Sequence, residues 1–213
     1  MFVHTTIQQV EEQRTRWNER ASTWDADIKL PNHYTNFENG YLEFLALEQK
    51  LLAGSAQLSV GLDAACGTGE TSTILAQHVD RLYVLDIAEK MLQKTVEKAP
   101  NAIPLHASVT DIPLADQSVD CVVSRGIVVS HLPRILVLNF FIEMGRLVRL
   151  GGFVLFDFLS NINSAEFSNV SPKIPFSDVT IADLLKGHGF SNITFYGSPA
   201  DRVRRVYAVR TSQ

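Results

Sequence analysis

The sequence predicts an α/β fold whose mostly parallel sheet is covered by helices on both faces, and three observations carry that prediction. Short apolar runs at 60–63, 82–86, 103–106 and 153–158, with a fourth-strand run inside 118–126, lack the alternation of a half-exposed strand, as strands buried on both faces do. Helix-like segments at 71–78, 88–98 and 134–147 separate most of these runs. The first run ends in a small-residue turn, Ala64-Ala65-Cys66-Gly67-Thr68-Gly69, that opens directly into a helix. Glycines let a backbone approach a ligand and a helix amino end offers free N–H groups, so strand, turn and helix make a nucleotide-binding unit.

Size and charge fit that reading. The chain has 213 residues, a formal net charge of −4 and an ordinary globular composition, which suits one domain with a substantial core. Its expected division is 1–54 as a helical lid, 55–158 as the ligand-binding core and 159–213 as a substrate-side loop with a closing helix and strands. The mildly acidic balance disfavours nucleic acid, and the basic cluster Arg202, Arg204 and Arg205 is too short to track a phosphate backbone. No apolar stretch approaches the ~20 residues that span a bilayer, and no basic segment leads into an apolar run at the amino terminus. A cytoplasmic protein with no membrane partner is therefore expected. Cys66 and Cys121 support neither a disulfide framework nor a cysteine-rich metal site, and no metal is expected.

The first turn discriminates among nucleotides. Gly67-Thr68-Gly69 is followed by Ser72 where a dinucleotide fingerprint has its third glycine. Asp63, closing the first strand, would repel a pyrophosphate and attract a ligand with an ammonium group and a sulfonium, which describes S-adenosylmethionine. The stretch from Asp63 to Gly69 resembles the D-x-G-x-G-x-G loop of the class I S-adenosylmethionine-dependent methyltransferases, with Ala65 in place of the first glycine. Alanine is tolerable there if that residue need not take a positive φ. Asp86 closes the second strand about 20 residues on, where a carboxylate accepting both ribose hydroxyls belongs. Its plainer reading is a cap for helix 88–98. The resemblance implies cofactor contacts at Asp63, Ala65, Cys66, Gly67, Gly69, Asp86, Ile87 and Met91, with S-adenosyl-L-homocysteine as product.

The remaining elements follow in chain order. Ile7, Val10, Trp17, Ala21 and Trp24 form one stripe of an amphipathic helix over 7–24, which usually means core packing. The resemblance implies instead an aromatic–Asp pair closing over the cofactor, matched by Trp24-Asp25, so Trp24 either touches ligand or packs. Pro31-Asn32 marks a turn that places His33 and Tyr34 on the loop ending this lid, as substrate contacts. A second helix covers 41–52 and is stopped by Gly54. Segment 107–114 resembles the family's G-D-a-x-x-L-P-F stretch, whose Asp accepts a hydrogen bond from the adenine amino group. Here Ser108 stands at that place, a neutral and weaker acceptor, with Asp111 an alternative only if the loop bends. The backbone N–H of Val109 depends on no side chain.

In the family the end of the fourth strand faces the transferred methyl group, which places Ser124 and Arg125 beside the cofactor's methionine end. Arg125 pairs either with the cofactor carboxylate or with a neighbouring acid. His131 precedes a helix over 134–147 that Pro133 is suited to start. It is read either as a general base or substrate contact, or as a histidine packing the helix start. Gly151-Gly152 ends that helix, and Asp157, closing the fifth strand, either contacts substrate or caps the next loop. In the family the insertion after the fifth strand commonly walls the acceptor pocket, and the irregular stretch 159–177 is short, so the resemblance implies a small or slender acceptor. Thr180 and Asp183 form a capping box for a helix ending near Gly187 or Gly189, before closing strands at 193–196 and 205–210.

The resemblance implies a doubly wound, seven-stranded Rossmann-like sheet with a C-terminal antiparallel strand under an N-terminal helical lid. Its implied activity is methyl transfer from S-adenosyl-L-methionine to a small-molecule acceptor. Two other classes stay open: a protein that binds this cofactor without transferring methyl, and an NAD-dependent dehydrogenase, which Asp63 and Ser72 disfavour.

Overall fold

The computed structural model describes residues 2–30, 33, 40–161 and 173–212. Strands β1 (Leu58–Ala64), β2 (Val79–Asp86), β3 (Ile103–His106), β4 (Val119–Ser124) and β5 (Val148–Leu159) pair in parallel, followed by β6 (Phe190–Tyr196) and β7 (Val203–Arg210). The sheet runs β3-β2-β1-β4-β5-β7-β6, with β7 antiparallel to both neighbours. Strand order reverses between β1 and β4, so a crevice opens outside their carboxyl ends.

The non-alternating runs are explained by two packed faces. On β4, Val122 joins one apolar cluster with Leu62, Val154, Phe140 and Phe141, while Cys121 and Val123 join a second with Phe44, Leu75 and Leu92. Alternate residues of a strand point to opposite faces, so a strand sandwiched between helices is apolar throughout. The first cluster packs under α7 (Val137–Leu147) and α8 (Asp178–Gly187), and the second under α3 (Gly40–Ala53), α4 (Glu70–Leu75) and α5 (Glu89–Lys98). Among the described residues no helix is long and apolar enough to cross a membrane.

Several boundaries depart from the sequence expectation, each for a visible reason. The amino-terminal stripe is two helices, α1 (Phe2–Arg20) and α2 (Trp24–Asp27), and Ile7 at its start is exposed. A four-residue helix α6 (Val128–His131) and a 3-10 turn at Arg134–Leu136 precede α7, so His131 ends a helix instead of preceding one. The pair Gly151-Gly152 lies inside β5, because the β4–β5 register shifts between Val119 and Cys121 and the extra residues bulge out. A Cβ on Gly152 would collide with the Asp120 carbonyl. Helix α8 is capped by Ser177, whose hydroxyl accepts from the Thr180 N–H at 3.0 Å, so the cap lies three residues before the expected box.

Charged side chains tie neighbouring elements together away from the crevice and beside it. Asp120 Oδ2 accepts from the Ser59 and Val60 N–H groups at 2.7 and 2.8 Å, fixing β4 to β1. Arg146 of α7 donates to the Ile112 and Leu114 carbonyls at 2.8 and 2.6 Å while Glu143 accepts from the Ile112 N–H at 2.7 Å, which holds the loop carrying Ser108 and Val109.

Candidate active site

A cavity of about 1000 Å³, counting the space open to solvent at its mouth, lies outside the carboxyl ends of β1, β2 and β4. Its floor is the turn after β1. Ala65, Gly67 and Gly69 all take positive φ, at 63°, 57° and 88°. The expectation that Ala65 avoids that region is therefore overturned: the three-point turn needs it, and Ala65 sits there with a Cβ that an L-residue accommodates at some cost. Ala65, Cys66 and Gly67 line the cavity, whereas Gly69 does not; a Cβ on Gly69 would press on Thr95 at 3.0 Å. The Thr95 hydroxyl donates to the Gly67 carbonyl at 2.8 Å and pins the turn.

Asp86 lies on the wall, and its expected role at the start of the next helix is visible. Its Oδ2 accepts from the Gly67 N–H at 3.0 Å and its Oδ1 from the Ala88 N–H at 2.8 Å. One carboxylate therefore ties the turn to the start of α5 and keeps a second lone pair on each oxygen. Burial pushes this carboxyl up to about 6, and the Ala88 and Gly67 N–H groups pull it back.

Asp63 is placed differently from the expectation. It is 1% exposed, does not line the cavity, and its Oδ2 accepts from the Ser72 hydroxyl at 2.5 Å. Burial pushes its carboxyl up to about 7, and it supports the turn from beneath and does not face the cavity. Ser124 is likewise turned inward, donating to the Ala64 carbonyl at 2.8 Å. Asp157 does not reach the cavity either: its Oδ1 accepts from the Gly126 and Ile127 N–H groups at 2.9 and 2.6 Å. Ile127 takes φ 52°, an uncommon state for a β-branched residue, and the Asp157 carboxylate holds it there.

The remaining wall is mostly as expected. Ile87, Met91, Ser108, Val109, Arg125 and His131 line it. The Ser108 hydroxyl is engaged locally with the Thr110 hydroxyl at 2.8 Å, and Asp111 is not on the wall. Arg125 stacks on Tyr41, Cζ 4.7 Å from the ring centre, and its buried Nε has no hydrogen-bond partner among the described residues.

The lid closes the mouth with aromatic rings. Trp24 lines the cavity and meets Trp17 and His33 edge to face at 5.2 and 5.3 Å, and Trp17 meets His131 at 5.5 Å. His33 itself is behind Trp24 and off the wall, and Tyr34 lies outside the described residues. Burial, with Lys173, Arg16 and Arg20 nearby, pushes the His131 imidazole down to about 3. That shift weakens the imidazole as a base near neutral pH, and the structure places His131 on the cavity wall.

Sequence reasoning missed Val10, Gln13, Thr71, Gly126, Val128 and the Leu132, Pro133 and Leu136 side of the wall. Val10 and Trp17 belong to the recognised stripe and Gln13 falls on the same helical face, so helical spacing carried that signal. Among the described residues no group of three His, Cys, Asp or Glu side chains is placed to hold a metal.

Residues 62–156, from β1 through most of β5, match the family model described as a methyltransferase domain. The chain is 30% identical over 125 residues to the malonyl-[acyl-carrier protein] O-methyltransferase of Hamiltonella defensa, a match covering 58% of this chain and 46% of that protein. The chain thus spans about half the length of that curated relative. Among solved structures, magnesium protoporphyrin IX methyltransferase from Synechocystis PCC 6803 with bound S-adenosylmethionine superposes with a TM-score of 0.73 at 19% identity, over 95% of this chain and 97% of that one. The N-methyltransferase NodS from Bradyrhizobium japonicum WM9, in complex with S-adenosyl-L-homocysteine, gives a TM-score of 0.68 at 14% identity, over 92% and 99%. Both likenesses extend beyond residues 62–156 to the flanking helices and strands, so the shared fold covers nearly the whole chain.

Proposed function

We propose that the cavity binds S-adenosyl-L-methionine and that the chain transfers its methyl group to a small-molecule acceptor within a single domain running from 1 to 213, in the cytoplasm. The observation that carries this reading is the wall pairing of Asp86 with the 65–67 turn, a carboxylate with free lone pairs beside a backbone that a ligand can approach closely. The wall fits the cofactor's parts. Asp86 takes the ribose diol, Ile87, Met91 and Val109 make an apolar slot for the adenine, and Arg125, with its unpartnered Nε, faces the carboxylate end. The bound sulfonium supplies an already activated methyl group. The residues of this chain then hold an acceptor in line and exclude water, and such positioning is worth ~7–11 kcal/mol of barrier. The lid aromatics Trp17 and Trp24 supply the exclusion.

Calorimetric titration tests the reading. S-adenosylhomocysteine binds and NAD does not, and Asp86→Ala weakens S-adenosylhomocysteine by about tenfold or more, the loss of charge-assisted hydrogen bonds. Equal binding of NAD, or an unaffected Asp86→Ala, would sink it.

A further inference from the structure

Beyond the residues assigned to the cofactor, the cavity wall is mostly apolar. Helix α1 contributes Val10 and Trp17, and the chain from α6 to the following 3-10 turn contributes Val128, Leu132, Pro133 and Leu136. Charge on this half of the wall is already matched. Arg125 is the one cation lining it among the described residues, and it lies near enough to Glu48, Asp63 and Asp157 for its charge to favour theirs, with its guanidinium over the Tyr41 ring. Burial pushes the His131 imidazole down to about 3, so that ring is uncharged at neutral pH.

Gln13 stands out in this apolar half. It lies three residues after Val10 and four before Trp17, so the three side chains share one face of α1, and all three line the cavity. Its amide oxygen, Oε1, is buried and accepts no hydrogen bond among the described residues. A buried acceptor left without a donor is destabilising, and native structures rarely leave one so. Because Gln13 is a wall residue, an occupant of the cavity is placed to supply the donor. A neutral amide oxygen takes an O–H or N–H without calling for a charge on its partner.

We propose that the acceptor is an uncharged, largely apolar molecule carrying an O–H or N–H that donates to Gln13 Oε1. This inference rests on the methyltransferase reading above and adds the class of the acceptor. The apolar wall supplies affinity roughly in proportion to the area it covers, and the single amide fixes orientation. A charged acceptor would lose its hydration against this wall and gain no free counter-charge. An analogue without the donor would leave the Gln13 oxygen unpaired, which makes this glutamine a specificity-determining residue.

The experiment uses the full chain saturated with S-adenosylhomocysteine and takes phenol, indole and octanol as probes. Each is compared with its methyl-capped form, anisole, N-methylindole and octyl methyl ether, and all with the charged benzoate and benzylammonium. Binding is read by calorimetry and by the emission of Trp17 and Trp24, the chain's two tryptophans, which both line the cavity. At least one uncapped probe changes that emission and binds about tenfold more tightly than its capped form and than either charged probe. Gln13→Leu brings that probe and its capped form within about twofold by weakening the uncapped one, whereas Gln13→Glu, which keeps an acceptor oxygen, retains the preference. S-adenosylhomocysteine affinity is unchanged in both variants, and the ranking in the parent chain tests the acceptor class independently of either. A capped probe binding as well as its parent, a charged probe binding best, no probe binding, or a preference that survives Gln13→Leu would each overturn the proposal. Failure of S-adenosylhomocysteine itself to bind would overturn the methyltransferase reading and this inference with it.

Discussion

Ala65 and Asp157 show how single residues set the site. Ala65 holds φ 63° in a turn whose other two corners are glycines with φ 57° and 88°, so its Cβ is a strain that glycine would relieve. Ala65→Gly raises stability by up to about 1 kcal/mol, read as a shift of a few degrees in melting temperature. An unchanged or lower melting temperature would mean that the methyl group's packing outweighs the strain. Asp157 acts through the turn it holds: Arg125, Gly126 and Val128 line the cavity around an Ile127 kept at positive φ by two N–H bonds to the carboxylate. Asp157→Ala leaves those donors buried and lowers stability by about 1–3 kcal/mol. It also lowers kcat by about tenfold with little change in S-adenosylhomocysteine affinity, and Asp157→Asn, which keeps an acceptor, loses less. A fall in cofactor affinity as large as the fall in kcat would refute the positioning role. At this scale the sequence showed which strand ends carry carboxylates, but not which way they turn. Asp86 faces the cavity because Gly67 and Ala88 present N–H groups there, while Ser72 draws Asp63 beneath the turn and the 126–127 amides draw Asp157 aside.

Among elements, a cluster of charges ties the α2 end of the lid to the core. Asp25 of α2 accepts from the Thr68 hydroxyl at 2.5 Å and pairs with Lys98 of α5 at 3.1 Å; Lys98 also pairs with Glu70 at 2.9 Å, and Glu70 accepts from the Tyr41 hydroxyl at 3.0 Å. Burial works against the Asp25 charge, but the Thr68 hydroxyl and Lys98 together hold its carboxyl below the usual carboxylate range. The aromatic–Asp pair thus divides its work: Trp24 faces the cavity and Asp25 fastens α2 to the glycine turn. Asp25→Ala therefore speeds hydrogen exchange in 7–30 while leaving β1 and β4 protected, and weakens S-adenosylhomocysteine several-fold through faster release. Exchange that rises equally in the sheet would show a global loss of stability and not a loosened lid. The sequence placed this helix by its apolar stripe and missed the break at 21–23, because Ala21 and Trp24 continue the stripe across it. Helix α6 was missed for the opposite reason, since four residues give no periodicity to read.

For the molecule as a whole, the α/β layering followed from the alternation of buried runs and helices, and what stayed hidden was the electrostatics of burial. Glu48 on α3 reads as a surface charge between Leu47 and Leu51, yet it is fully buried, with neither carboxyl oxygen hydrogen-bonded among the described residues. Burial pushes it up to about 9, reinforced by Asp63 and opposed by Arg125. Because its folded value lies above the ordinary one of 4.5, its contribution to stability is complete below that pH and is lost as pH rises toward 9. The buried histidines work in the other direction. Those at 33 and 131 are pushed by burial down to about 4 and 3, so their contribution is present above 6.5 and is lost as pH falls. Asp63, Asp86 and Asp157, pushed up to about 7, 6 and 6, act in the same direction as Glu48 and against the histidines. Above 7 the Glu48 loss continues with a slope on the order of 1 kcal/mol per pH unit and is opposed from about 8 by Lys173, whose charge burial disfavours. Glu48→Gln keeps the shape of the neutral acid and removes its titration. Its melting temperature matches the parent near pH 5 and exceeds it by several degrees at pH 8.5. Melting curves of parent and variant that stay parallel from pH 5 to 8.5 would show that Glu48 is ionised and paired in the folded chain.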